Sequence, residues 1–150
     1  MKNNQLTKEA TLQIVSAINI RLKGRTNPLV VSLDGGSGAG KSTLPLIAGE
    51  SVQYHLFSFS TGTGLTPSSV TDAPSKVIIL DEIYSSLSEL SDVVDFKVLV
   101  DVLPAVCRYR SNVREGYADE AWHKQWDSAE DYYFSVLCPP SSFDLIVINQ

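Results

Sequence analysis

Long apolar runs are missing from this chain. A membrane-spanning helix needs about 20 consecutive apolar residues, and stretches such as Val77–Leu80 are a fraction of that. The opening MKNNQLTKEA also lacks the apolar centre of a signal peptide, so no membrane partner and a cytoplasmic location are expected. A basic surplus is missing as well: 12 Lys and Arg stand against 17 Asp and Glu, for a net charge of −5. Such a surface does not concentrate a polyanion, so extended nucleic-acid binding is not expected and a small phosphorylated ligand fits better. The chain has only two cysteines, Cys107 and Cys138, far apart and without metal-ligand spacing, so reduced thiols are as compatible as a bridge. Its two histidines, His55 and His123, have no base–nucleophile partner nearby in sequence and read as structural.

What is present is enough apolar material, 43% of 150 residues, for the core of one domain spanning residues 1–150. Ile14, Ile18 and Leu22 recur at four-residue spacing within Thr7–Lys23, with Gly24 placed as a C-terminal cap, which predicts an amphipathic first helix. Short apolar runs at Leu29–Leu33, Lys76–Asp81, Phe96–Asp101 and Phe143–Ile148 predict buried strands. A short helix is expected within IYSSLSELSD between the second and third of these runs. Pro104 can start a helix reaching about Arg114. Asp119 can cap a longer one to about Leu137, with Trp122, Trp126, Ala129 and Tyr133 on one face before Pro139 and Pro140 stop it. Aromatic residues at that spacing are read as packing residues. The Ser/Thr/Gly/Pro-rich stretch from Ser58 to Ser75 lacks periodicity and is expected to be an exposed loop. Strands alternating with helices predict an α/β fold with a mostly parallel sheet covered on both faces.

The motif with the clearest chemistry is Gly35-Gly36-Ser37-Gly38-Ala39-Gly40-Lys41-Ser42, a complete G-x-x-x-x-G-K-[ST] run that follows a predicted strand. Glycines let the backbone curl so that successive N–H groups face a phosphate, and a following helix adds its positive end. Lys41 is placed to reach the β- and γ-phosphates of ATP, and Ser42 to offer its hydroxyl to Mg²⁺. The run Val77–Glu82 ends a strand in acid, so Asp81 is a second candidate metal ligand. Tyr84 follows closely and is read either as a contact to a second substrate or as a packing residue.

The stretches LDGGSGAGKST, FSFSTGTGLTPSSV, APSKVIILDEIYSSLSELSDVVDFKVLVDV, CRYRSNVREG and WHKQWDSAEDYYFSVLCPPSSFDLIVIN, in that order, resemble the uridine-kinase-like branch of P-loop kinases, in particular its short bacterial or fungal members. The resemblance implies a three-layer P-loop NTPase fold, bound ATP and Mg²⁺, and transfer of the γ-phosphoryl group to a hydroxyl of a nucleoside or similar small molecule. It places Gly35 to Thr43 on the triphosphate and Asp81 near metal and acceptor. Arg108, Arg110 and Arg114 fall in a segment similar to the family's arginine-bearing lid, where cations neutralise charge on the transferred group. After the phosphate loop the family continues with a helix, a strand and a D-D-F-[FY] motif that supplies the acceptor-side base. Here GKSTL passes directly into PLIAGESVQYHLFSFS, as if one strand–helix segment were excised between Leu44 and Pro45. Reduced stability and uncovered apolar sheet surface are expected consequences. Glu82 stands where the family has glycine. The alternative to a kinase is an ATP-binding protein without transfer chemistry.

Overall fold

In the computed structural model, residues 2–36, 52–57, 65–72, 76–116 and 120–149 are described. In chain order the elements are α1 (Lys2–Arg21), β1 (Leu29–Asp34), β2 (Val52–Phe57), β3 (Leu65–Asp72), β4 (Val77–Asp81), β5 (Phe96–Asp101), α2 (Pro104–Glu115), α3 (Glu120–Tyr132) and β6 (Leu145–Ile148). The four apolar runs form one sheet in the order β4-β1-β5-β6, with every pairing parallel. This is a mixed α/β fold with a mostly parallel sheet, as the alternating pattern predicts.

Registration puts the core on one face of that sheet. Val31 is opposite Phe96 and Ile79, Leu33 is opposite Val98, and Val100 is opposite Val147. Ala10 and Ile14 of α1 join this row, with Ala17, Ile18 and Leu22 packed beside it, so the four-residue spacing marks the buried stripe. Val15, which neighbours that stripe in sequence, is exposed. Val102 and Cys107 extend the cluster at the start of α2, and both cysteines are free thiols and buried. Among the described residues, Ile78 and Leu80 on the edge strand β4 are half-buried, whereas Ile146 and Ile148 on the opposite edge are exposed.

The other face of β1 carries Ser32 and Asp34, both fully buried. The chain must cross β1 to pass from β4 to β5, and it does so over residues 82–95, where the expected short helix is only a single 3₁₀ turn, Ser88–Leu90. A parallel crossover is usually helical; here serines replace an apolar helix face, because the strand beneath presents a hydroxyl and a carboxylate. The Ser86 hydroxyl lies 2.8 Å from that of Ser32.

Arg25 and Asp95 fasten the far end of the crossover to the entrance of β1. Their side chains approach to 2.6 Å, and the same Asp95 oxygen accepts the Val30 N–H at 2.9 Å. Partial burial raises the Asp95 pKa, but the Val30 N–H and the Arg25 guanidinium outweigh it, and the net shift is downward from the usual 3.8. A depressed folded-state value stabilises above the unfolded pKa and is lost as pH falls through the folded pKa. Asp95→Asn is therefore expected to lose about 1–2 kcal/mol at neutral pH. In urea titrations the gap from the parent should close as the pH drops below 3.8.

Two expectations are corrected. Ser58–Ser75 is not simply a loop, because Leu65–Asp72 forms β3 and pairs antiparallel with β2, from Val52 opposite Asp72 to His55 opposite Ser69. The register shifts before Phe57 meets Leu65, and Pro67 lies in the longer arm of that irregularity, where its missing N–H breaks no regular ladder. The helix expected to reach Leu137 stays α-helical only to Tyr132 and ends in a π-helical turn, Tyr133–Leu137.

Candidate functional site

The carboxyl ends of the four parallel strands are all polar. Asp34, Asp81 and Asp101 close β1, β4 and β5, and Asn149 follows β6. Connections from β1 lead first to β4 on one side and then to β5 and β6 on the other, so the strand order reverses at the end of β1. In open α/β sheets such a reversal opens a crevice in which ligands bind. Gly35 and Gly36 leave β1 at this point.

Gly35 has a φ of 150°, which a side chain would strain. A Cβ on Gly36 would lie 2.9 Å from a Glu130 carboxylate oxygen and 3.7 Å from the Cys107 sulfur. The first two glycines of the motif therefore answer to chain direction and to close approach by α2 and α3. Ser37, Gly38, Ala39, Gly40, Lys41, Ser42 and Thr43 lie outside the described residues.

Asp34 anchors the start of the loop. One carboxylate oxygen accepts the Gly35 N–H at 2.9 Å; the other accepts the Ser86 N–H at 3.1 Å and the Tyr133 hydroxyl at 2.5 Å. The Ser86 carbonyl in turn accepts from Lys97 Nζ at 2.8 Å and from the Cys138 thiol at 3.4 Å. Burial first, and the neighbouring Asp34 second, push the Tyr133 phenol well above its usual pKa of 10.0, so it stays a proton donor. The Tyr133 ring meets Tyr84 edge-on at 4.8 Å. Tyr84 itself has a positive φ of 72°, and burial, Glu130 and Asp34 raise its pKa. Tyr84 thus packs on the network behind the loop.

Beside Gly36 opens a cleft of about 480 Å³ between α2 and α3, floored by the end of β5. Asp101, Arg108, His123, Asp127, Glu130 and Asp131 line it, with Leu99, Val102 and Phe134 as apolar surface. Arg108 pairs with Asp127, and His123 Nε2 lies 2.7 Å from the Asn112 side-chain oxygen, so two contacts tie α2 to α3 across the cleft wall. His123 is held by this contact while it lines the cleft. Arg110 donates to the Asn149 carbonyl at 3.0 Å. Arg114 lies exposed in the last turn of α2.

The structure therefore brings Gly35, Gly36, Asp81 and the arginine-bearing helix to one end of the sheet. No known protein family matches the chain, and no curated protein is significantly similar to it.

Asp81 sits opposite Leu33 in register and is half-buried at the strand end. Among the described residues no group of three metal-ligating side chains is arranged as a cage. Mg²⁺ usually keeps several waters and takes one or two carboxylates plus substrate phosphates. A single carboxylate at the loop end of the sheet fits that ion. Sequence reasoning missed Asp34, Ser86 and Glu130. The available signals were a serine and an aspartate inside an otherwise apolar strand, each needing a buried partner.

Proposed function

We propose that the chain binds Mg·ATP at the loop beginning at Gly35 and transfers its γ-phosphoryl group to a hydroxyl of a nucleoside-like small molecule, on a P-loop fold. The observation that carries this reading is that β1, where the order of a parallel sheet reverses, leads at its carboxyl end into Gly35 and Gly36, the first residues of a complete G-x-x-x-x-G-K-[ST] run in the sequence. The loop amides and Lys41 would hold the phosphates, and Ser42 and Asp81 would hold Mg²⁺, which would supply positive charge against the phosphates. The adjoining cleft has the volume of a small-molecule site. Its carboxylates oppose an anionic acceptor and favour hydroxyls that donate hydrogen bonds.

A second reading, nucleotide binding without transfer, is favoured by the engagement of Arg108 and Arg110. Arg108 is paired with Asp127 and Arg110 with a backbone carbonyl, so neither is poised on a transferred group in this state.

Calorimetric titration of Mg·ATP into the chain tests the site, with Lys41→Ala as the comparison. The variant is expected to bind on the order of 100-fold more weakly, because a lysine–phosphate contact is charge-assisted. A parent that is folded and does not bind overturns both readings. Transfer of labelled phosphate from ATP to added nucleosides then separates them.

A further inference from the structure

The phosphate loop is joined at its first residue to a buried polar node supplied by two distant segments. Asp34 is fully buried, so water cannot replace a donor that its carboxylate loses. One donor is the Gly35 N–H, and the other two come from Ser86 in the crossover and Tyr133 at the end of α3. Three donors on two oxygens fix the plane of the carboxylate, and through it the orientation of the Gly35 peptide. The φ of 150° at Gly35 is open to glycine and strained for a residue with a side chain, so the hold acts where the chain changes direction.

Tyr133 is itself positioned with care. It opens the π-helical turn Tyr133–Leu137, a departure from α-helix found often at functional sites, and its ring makes a T-shaped contact with Tyr84, whose φ is 72°.

We propose that Tyr133 and Ser86 are positioning residues for phosphate binding: by clamping the Asp34 carboxylate they set the direction in which the backbone leaves β1 at Gly35. This inference rests on the phosphate-loop reading above. A binding constellation must be held within about 0.5 Å and 10–20° of its productive geometry. Losing the phenol leaves one oxygen of Asp34 with only the 3.1 Å contact to Ser86, and frees the carboxylate to turn with the Gly35 peptide.

The test compares Mg·ATP and adenosine binding by the full chain, Tyr133→Phe and Arg25→Ala. Arg25 supports the opposite, entrance end of β1, so its variant reports lost stability away from the loop. Tyr133→Phe is expected to bind Mg·ATP on the order of tenfold more weakly, the scale of coupling through a shared network, with adenosine affinity unchanged. Arg25→Ala is expected to bind both as the parent does. Unchanged Mg·ATP affinity in Tyr133→Phe overturns the positioning role. So does an equal weakening in both variants, which would mark a purely structural effect.

Should Tyr133→Phe not fold, amide exchange on the parent decides. Coupling is reciprocal, so Mg·ATP is expected to slow exchange at Ser86, which is outside the loop. Exchange at Ser86 that ignores the nucleotide overturns the proposal. A folded parent that binds no Mg·ATP overturns the phosphate-loop reading and this inference together, whereas a binding parent with an indifferent Tyr133→Phe overturns this inference alone.

Discussion

Asp34→Ala is expected to cost about 3–5 kcal/mol of stability, a large part of the 5–15 kcal/mol that holds an ordinary domain together. The cost does not come from the lost carboxylate alone. Its removal strands the Gly35 N–H, the Ser86 N–H and the Tyr133 hydroxyl in a region closed to water. Leaving buried donors unmade is more expensive than the net worth of the bonds they made. Urea unfolding, read as the shift in midpoint at constant slope, measures the loss. A shift below about 1 kcal/mol would mean that the node is dispensable and that the crossover is held by its other contacts. Asp34→Asn should fall between the two. With its amide oxygen turned to Ser86 and Tyr133 it keeps an acceptor for two donors but sets an NH₂ group against the Gly35 N–H.

Phe96→Ala is expected to cost a similar amount, about 3–5 kcal/mol, by a different mechanism. The ring is fully buried at the start of β5, opposite Val31, and the Arg21 guanidinium lies over it at 3.7 Å. Truncation opens a cavity where α1 meets the sheet and removes the aromatic face beneath the cation. Phe96→Leu retains most of the apolar volume and should cost about 1 kcal/mol. Thermal or urea unfolding of the two variants, followed by circular dichroism, distinguishes cavity formation from loss of the cation–ring contact. Equal destabilisation would assign the effect to Arg21.

These predictions fall on residues of unequal visibility in the sequence. Phe96 belongs to an apolar run that reads directly as a buried strand, and so do Leu29–Leu33 and Val77–Leu80. Pro104 and Gly116, at either end of α2, follow local rules that act within a few residues. The strand Leu65–Asp72 was obscured because its Thr, Pro and Ser residues read locally as a loop. Its pairing with Val52–Phe57 is non-local, and only that ladder makes it a strand. Tyr133 was legible as a packing residue at helical spacing. That its hydroxyl reaches Asp34, 99 positions away in sequence, was not.

The candidate site divides in the same way. Gly35 through Ser42 announce phosphate chemistry through spacing, because a curled backbone and a lysine at its end are local requirements. Asp81 and the arginines of α2 were visible as residues, and it is the parallel pairing of β4, β1 and β5 that sets the ends of these strands at one end of the sheet. Glu130 against Gly36, the cleft between α2 and α3, and the engagement of Arg108 by Asp127 come from packing alone.

By itself, then, the sequence determined the periodic elements, the glycine-rich run that follows β1 and the absence of a membrane-length apolar run. Each depends on residues close together in the chain. Tertiary structure decided the strand order, the serine-lined crossover and the three-donor hold on Asp34. Those depend on partners brought together only when the sheet assembles, and on the cost of burying a polar group without one.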